Sequence, residues 1–407
     1  MSPTPSLDEQ MRVLMRGVEY GDPHIQKTME EELRARLAEG RPLRVYAGFD
    51  PTAVDLHLGH IVPMMKLRQF QDFGHEVTFL IGTMTAMIGD PTDRSSARIM
   101  QTPAQIEEMA KTWIGQAFRV LDPDKTLVKR NGDWLAPMTL AEFVQVASNF
   151  TVQQFLDHDT FRRRIEAQRP IYLHEFVYAL MQGYDAFEMN TDVQVGGTEQ
   201  LFNMFAGRTL QRAHEQKAHI AICLPILIGT DGNLRMSKST GNYIGLDETP
   251  DQMFGKVMSI PDSLIVNYYT LLVPDADVPS IERAMTDKTL HPMAAKKRLA
   301  HAIVALLNDE AAADAAQDEF ERVHQEGQAP TEAQEIKVPM SGGYAVVDVT
   351  LLIAQAGLES RSQARRLISQ GAIAVDGIVI KEHAASVNHG SLIKVGRHQF
   401  LRVLADG

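Results

Sequence analysis

Residues 44–60 read RVYAGFDPTAVDLHLGH. A short apolar run ends at Phe49, and two histidines, His57 and His60, flank Gly59 where the next element begins. The run is rich enough in β-branched and aromatic residues to be a buried strand. The pattern after it starts a helix that Gly74 stops. A helix that begins directly after a strand aims free N–H groups and a positive dipole end at the crevice above the sheet, where anions bind. At i and i+3, His57 and His60 both project from that start and can donate N–H bonds to phosphate oxygens, and Gly59 leaves room for a nucleotide. Taken singly, either histidine is equally well explained as a core residue or a helix cap.

Further strand-like runs recur outward from this stretch: EVTFLI (76–81), TLVKR (126–130), VQVGG (193–197) and HIAICLPIL (219–227). Helical patterns separate them, one opened by Thr102 and Pro103. This alternation predicts an α/β fold, a doubly wound parallel sheet of Rossmann-like type, over residues 1–245. From 246 to 328 the strand signal stops and helical segments take over. Residues 329–343 are polar and Pro/Gly-punctuated and read as a linker, and 344–407 as a small tethered α+β domain.

The chain has 407 residues, 44% of them hydrophobic, enough for two or three domains. Its net charge of −12 means that any contact with nucleic acid must use a local basic patch. The tail supplies one candidate, with seven Lys and Arg against five Asp and Glu in 344–407. The single cysteine, Cys223, excludes a disulfide framework and reads as a small buried hydrophobe. Neither a basic, apolar leader nor a run of 18 apolar residues occurs, so a soluble cytoplasmic protein, with no membrane association, is expected. Neither GxxxxGK[ST] nor a post-strand GxGxxG is present, which argues against a P-loop ATPase or a nicotinamide dehydrogenase. In HEQKAH, His214 and His219 are five apart rather than four, the wrong spacing for a zinc-protease helix; an exposed helix end is expected there.

A second motif, RMSKS, spans Arg235 to Ser239 after the loop GTDGNL. Following the last strand, it rims the same carboxyl-end crevice, and a mobile loop carrying Arg235 and Lys238 can close over a triphosphate. Together, HLGH and RMSKS resemble the two signature motifs of class I aminoacyl-tRNA synthetases. The stretches YAGFDPTAVDLHLGH, GTMTAMIGDPTDRSSAR, NGDWL, YALMQGYD, VQVGGTEQ and SRSQARRLISQGAIAVDG extend the similarity to the bacterial tyrosyl branch, and the last looks like an S-four-like RNA-binding domain.

That resemblance implies ATP-dependent activation of L-tyrosine to tyrosyl-adenylate, then transfer to tRNA(Tyr), with Mg²⁺ carried by ATP rather than held in a dedicated metal site. It implies Tyr46 and Asp185 at the substrate phenol beside Gly48, Asp90, Tyr178, Gln182 and Thr85 around the ammonium, and Gln200 near the carboxylate. His57, His60, Lys238 and Arg235 fall in catalytic positions, and Asp50, Thr52, Arg94, Arg98, Gly197, Glu199, Met236, Ser237 and Ser239 in ATP-binding ones. A site that hydrogen-bonds a hydroxyl rejects phenylalanine because its own groups are then left unpaired, a rejection for which tyrosyl enzymes are themselves the standard example, so no editing domain is needed. Residues near 130–160, including Trp134, correspond to an insertion used for two-fold dimers, so a homodimer is expected; the residues alone would place Trp134 in a core. In the tail, Ser360 caps a helix ended by Gly371 and carrying Arg361, Arg365 and Arg366, a row suited to RNA phosphates. Arg235 stands where lysine is common, Glu199 where aspartate is, and Leu201 where tryptophan is, a combination similar to the less common of two bacterial tyrosyl types.

Overall fold

The computed structural model describes residues 5–51, 55–90, 101–156, 159–324, 333–396 and 399–406. It divides into two compact units, Met1–Asp314 and Ala315–Gly407.

In the first unit, β1 (Arg44–Phe49), β2 (Glu76–Ile81), β3 (Thr126–Arg130), β4 (Val193–Gly197) and β5 (Ile220–Leu224) form one sheet in the order β3-β2-β1-β4-β5. Every pairing is parallel. The first four strands match the sequence runs to the residue, while the fifth ends at Leu224, before Pro225, which has no N–H to continue a ladder. All of β5 is buried, Cys223 included. His219 corrects the expectation of an exposed helix end: it is fully buried and its Nδ1 lies 2.9 Å from Gln211 Oε1. A polar ring that meets a buried amide is accommodated in a core, and spacing alone does not reveal such a partner.

The helices are α1 (Leu7–Leu14), α2 (Pro23–Leu37), α3 (Leu58–Asp72), α4 (Thr85–Ile88) and α5 (Pro103–Ala117). Then come α6 (Gly132–Leu135), α7 (Leu140–Ala147), α8 (Val152–Leu156) and α9 (Asp159–Glu166) between β3 and α10 (Leu173–Glu188), which is followed by α11 (Leu201–Ala213). Thr102 and Gln105 form a reciprocal capping box at the start of α5, and Gly74, at φ 82°, follows the end of α3. The α10–α11 pair is close because a Cβ on Gly183 would sit 3.0 Å from the backbone of Ala206 and Gly207. That approach seats the inner face of α10, with Tyr178, Gln182 and Asp185, over the sheet.

The helices α12 (Pro250–Met258), α13 (Ile265–Leu272), α14 (Val278–Thr286) and α15 (Pro292–Leu307) follow in the same compact unit as the sheet, and the division between units falls within α16 (Glu310–His324). Long-range side-chain bonds make the connection. Arg16 donates to the carbonyls of Tyr269 (2.8 Å) and Val273 (2.9 Å) at the end of α13. Arg119 donates to Leu307 at the end of α15 and to Leu246, and Tyr268 Oη to the Ile228 carbonyl at 2.6 Å. Cations at helix C-termini meet otherwise orphaned carbonyls, which hydropathy patterns do not register.

In the second unit, β6 (Gln334–Val338), β7 (Tyr344–Asp348), β8 (Ile373–Val375), β9 (Ile378–Val379), β10 (Ala384–Asn388), β11 (Leu392–Val395) and β12 (Gln399–Ala405) accompany α17 (Val349–Gln355) and α18 (Arg361–Ser369). The main sheet runs β6-β12-β11-β8-β9, and β7 pairs with β10. The expected linker over 329–343 is therefore corrected at 334–338, where β6 pairs in parallel with β12. Only Val338 of β6 is buried, so backbone pairing, not apolar alternation, makes it a strand.

Candidate active site

In the sheet order, β1 lies between β2 and β4, so successive crossovers leave β1 in opposite directions and open a crevice above its carboxyl end. A cavity of about 400 Å³ occupies that position. Its wall brings together Tyr46, Gly48, Asp50, His57, Gly59, His60, Thr85, Asp90, Tyr178, Gln182, Asp185, Gly197, Glu199, Gln200, Arg235, Met236 and Ser237. Lys238 and Ser239 are not part of the wall. Thr52, Arg94 and Arg98 lie outside the described residues.

At one end, Tyr46 from β1 and Asp185 from α10 are both buried. The Tyr46 hydroxyl has no hydrogen-bond partner among the described residues. Asp185 accepts from Trp134 Nε1 at 2.7 Å and Asn131 Nδ2 at 3.1 Å. Burial pushes its pKa up to about 8, against the opposing pull of those two donors. An orphaned hydroxyl beside a buried carboxyl is a site that one incoming hydroxyl, donor and acceptor at once, would complete.

Asn131 and Trp134 were not singled out as site residues from the sequence. The signal was the stretch NGDWL itself: an Asn and a Trp shortly after β3, at a strand's carboxyl end, both within reach of Asp185.

A polar chain leads away from the phenol end. Asn131 Nδ2 also donates to Thr85 Oγ1 (3.0 Å), Thr85 Oγ1 donates to Asp50 Oδ1 (2.7 Å), and Tyr178 Oη donates to Asp50 Oδ2 (2.9 Å). Asp50, assigned to ATP by the resemblance, thus bonds two residues assigned to the amino acid. Gln200 donates to Asp90. Gly82, unnoticed in the sequence, is required here because a Cβ would overlap both Asp50 and Thr85.

The HLGH segment is a preorganised donor pair. His57 is the N-cap of α3, its Nδ1 accepting from the Gly59 N–H at 3.2 Å, and His60 Nδ1 accepts from the His57 N–H at 3.2 Å. With both Nδ1 atoms accepting, each neutral ring carries its proton on Nε2. Burial holds both rings neutral, with His57 lowered to about 2, helped by His60 and Lys238, and His60 lowered to about 4. The rings lie 4.0 Å apart, and Trp113 meets His60 edge-on at 5.3 Å. A Cβ on Gly59 would come within 2.9 Å of His57 Cε1, so this glycine serves the cap as well as the crevice.

RMSKS is shaped by a side chain outside the motif. Asn242 Oδ1 accepts from the Ser237 N–H (2.9 Å) and Thr240 Oγ1 (2.6 Å), while Nδ2 donates to the Leu234 (3.2 Å) and Arg235 (3.1 Å) carbonyls. Met236 N–H donates to Leu227 at 2.9 Å, and Ser239 pairs with Ser237 through their hydroxyls. Lys238 Nζ lies 3.1 Å from Asp55 Oδ2. At the end of β4, the Glu199 carboxylate folds back over Gly197, where a Cβ would overlap it.

In the second unit, Ser360 caps α18 and Gly371 follows it at φ 68°. Arg361, Arg365 and Arg366 are all exposed on α18, and Arg361 is paired with Asp348 at 2.7 Å. Among the described residues, no helix is long and apolar enough to cross a membrane, and no group of three or more His, Cys, Asp or Glu is placed to hold a metal ion.

The parallel α/β fold agrees with the comparisons. Residues 38–325 match the family of tRNA synthetases class I (W and Y), and residues 348–393 match the S4 domain family. The chain belongs to the class I tRNA synthetases of the W and Y family. A relative from Moorella thermoacetica named Tyrosine--tRNA ligase is 44% identical, covering 97% of this chain and 95% of its own. Another so named, from Carboxydothermus hydrogenoformans, is 42% identical over 99% of this chain and 100% of its own. The fold is shared with a truncated Aspergillus nidulans mitochondrial tyrosyl-tRNA synthetase (TM-score 0.63, 22% identity, 79% of this chain and 95% of that one). It is also shared with the Archaeoglobus fulgidus tyrosyl-tRNA synthetase complexed with L-tyrosine (TM-score 0.61, 22% identity, 77% and 100%).

Proposed function

We propose that this chain is a tyrosine-tRNA ligase, joining L-tyrosine to ATP as tyrosyl-adenylate, with release of pyrophosphate, and then passing the tyrosyl group to the 3′ end of tRNA(Tyr). The observation that carries the reading is the orphaned Tyr46 hydroxyl beside buried Asp185. A phenol fills that place with both a donor and an acceptor; an indole N–H offers only a donor, and a phenyl ring neither.

The tyrosine ammonium is held among Asp50, Asp90, Tyr178, Thr85 and Gln182, with the carboxylate near Gln200. An ionised carboxylate is already a nucleophile, so the protein's work is to position it against the α-phosphorus and to stabilise charge on the phosphates. His57 and His60 donate from Nε2, and Arg235 and Lys238 meet the leaving pyrophosphate, together with Arg94 and Arg98. Asp50's bonds to Thr85 and Tyr178 support a place nearer the amino acid than ATP. Thr52, Gly59, Gly197, Glu199, Met236, Ser237 and Ser239 surround the nucleotide, and Mg²⁺ arrives with ATP, as that ion usually binds through substrate phosphates.

Arg361, Arg365 and Arg366 contact tRNA phosphates, which position RNA without specifying it. A homodimer in the cytoplasm completes the reading. The exposed apolar side chains Leu140, Val144, Val152 and Leu173, around the 130–160 insertion, support a partner surface there.

The test is amino-acid-dependent exchange of labelled pyrophosphate into ATP, run without tRNA for each of the twenty amino acids. Exchange with tyrosine alone is expected. Exchange with tryptophan would overturn the roles of Tyr46 and Asp185, and none with any amino acid would favour an RNA-binding protein built on a synthetase body.

A further inference from the structure

The Lys238–Asp55 pair joins two parts of the crevice rim that are anchored differently. Asp55 precedes the α3 cap by two residues, and its segment is pinned by backbone bonds from Leu246 N–H to Leu56 O and from Leu58 N–H to Ile244 O, both 3.0 Å. The ammonium, by contrast, stands on the signature loop. Its Nζ lies 3.1 Å from Asp55 Oδ2 and 5.6 Å from the centre of the Tyr243 ring, whose aromatic face also takes Lys256 at 4.9 Å. Arg235, Met236 and Ser237 line the cavity and Lys238 does not, so the motif's second cation is turned from the crevice toward a carboxylate. The side chains of Lys238 and Asp55 are 30% and 28% exposed, so the pair is within reach of water and of a competing anion.

We propose that Asp55 is a positioning residue that latches the signature loop: in the ATP-free protein its carboxylate stands in for phosphate oxygens on Lys238, and the arriving triphosphate takes the ammonium from it. The exchange of one oxyanion for another moves no proton and makes no bond; it sets how much of the triphosphate's attraction for Lys238 is left over as affinity. Neutralising Asp55 should therefore tighten ATP binding, whereas a carboxylate that braced the catalytic position would do the opposite. The inference rests on the proposed role of Lys238 at the triphosphate, and the test separates the two.

Affinity for a nonhydrolysable ATP analogue is measured by titration calorimetry for the wild type, Asp55→Asn, Lys238→Ala and the double variant. Asp55→Ser and thermal midpoints accompany them, so that a folding defect is not read as lost affinity. Asp55→Asn is expected to bind about two- to fivefold more tightly, the range of a partly exposed ion pair. The gain should shrink in high salt and vanish in the Lys238→Ala background. Rates of tyrosine-dependent exchange at saturating ATP should be unchanged. Unchanged or weaker binding by both Asp55 variants would overturn the latch, as would an equal gain with and without Lys238, which would mark a general field effect. Wild-type affinity in Lys238→Ala would instead remove Lys238 from the triphosphate, and the underlying role would fail with it.

Discussion

HLGH and RMSKS rim one crevice but are held by different means. The histidines stand on the first turn of α3, and each imidazole already spends its Nδ1 on a backbone N–H, so the two Nε2 donors are set before any ligand arrives. The signature loop has only a single 3-10 turn, Lys238–Thr240, and no α-helix or strand of its own. The four bonds of Asn242 help to hold its shape, and its lysine is engaged elsewhere. One motif is preorganised by secondary structure, while the other is a loop whose charge must be redirected. A reaction that must admit ATP and then enclose it needs both kinds of support.

Removing the moving cation gives the largest effect expected of this contrast. Lys238→Ala should lower the rate of adenylate formation by about 10² to 10³, the usual cost of one charge-stabilising donor, with tyrosine affinity largely kept. Single-turnover adenylate formation beside equilibrium tyrosine binding measures both, and a parallel loss of tyrosine affinity would mean that the loop also builds the amino-acid pocket.

Next comes the loop's scaffold. Asn242→Ala removes four side-chain bonds to the turn from a buried position and should lower unfolding stability by about 1–3 kcal/mol in urea titration. A neutral result would show that the loop's shape is not held by this side chain.

The phenol end offers a smaller effect. Tyr46→Phe should reduce kcat/KM for tyrosine about tenfold, the worth of one hydrogen bond to substrate, and should narrow discrimination against phenylalanine. Equal losses for both amino acids would point to packing instead.

The pH dependence separates the histidines from Asp185. His57 and His60 have pKa values lowered below the usual 6.5, so their stabilising contribution is fully present above pH 6.5 and is lost as pH falls toward their folded values near 2 and 4. Affinity for the ATP analogue should thus show no imidazole titration between about pH 6 and 8. Asp185 has the opposite sign. Its pKa is raised to about 8, so the wild type should lose stability relative to Asp185→Asn as pH climbs from about 4 to 8, and then level off. Urea unfolding of both proteins across that range is the measurement.

The strands, the HLGH helix start and the RMSKS loop were legible because each rests on a local signal: apolar runs, a glycine stop, a motif after a strand. What was not legible lies in partners distant along the chain. His219 looks like an exposed helix end until Gln211 meets it, and Trp134 looks like core until its N–H is seen on Asp185. The resemblance places Asp50 with ATP, and its bonds to Thr85 and Tyr178, 35 and 128 residues away, could not be read from the sequence. Strand β6 escaped because its side chains are mostly exposed and its pairing is carried by backbone groups, which are the same in every sequence.

The sequence by itself determined where the chain turns from strand to helix and which residue types reach the crevice, because hydropathy period, caps and glycines act over a few residues. Only the tertiary structure decided which of those side chains are already spent on one another: the histidine tautomers, the Asp50–Thr85–Asn131–Asp185 chain and the hold of Asp55 on Lys238. Hydrogen-bond satisfaction is a property of buried groups brought together across the fold, and no local pattern encodes it.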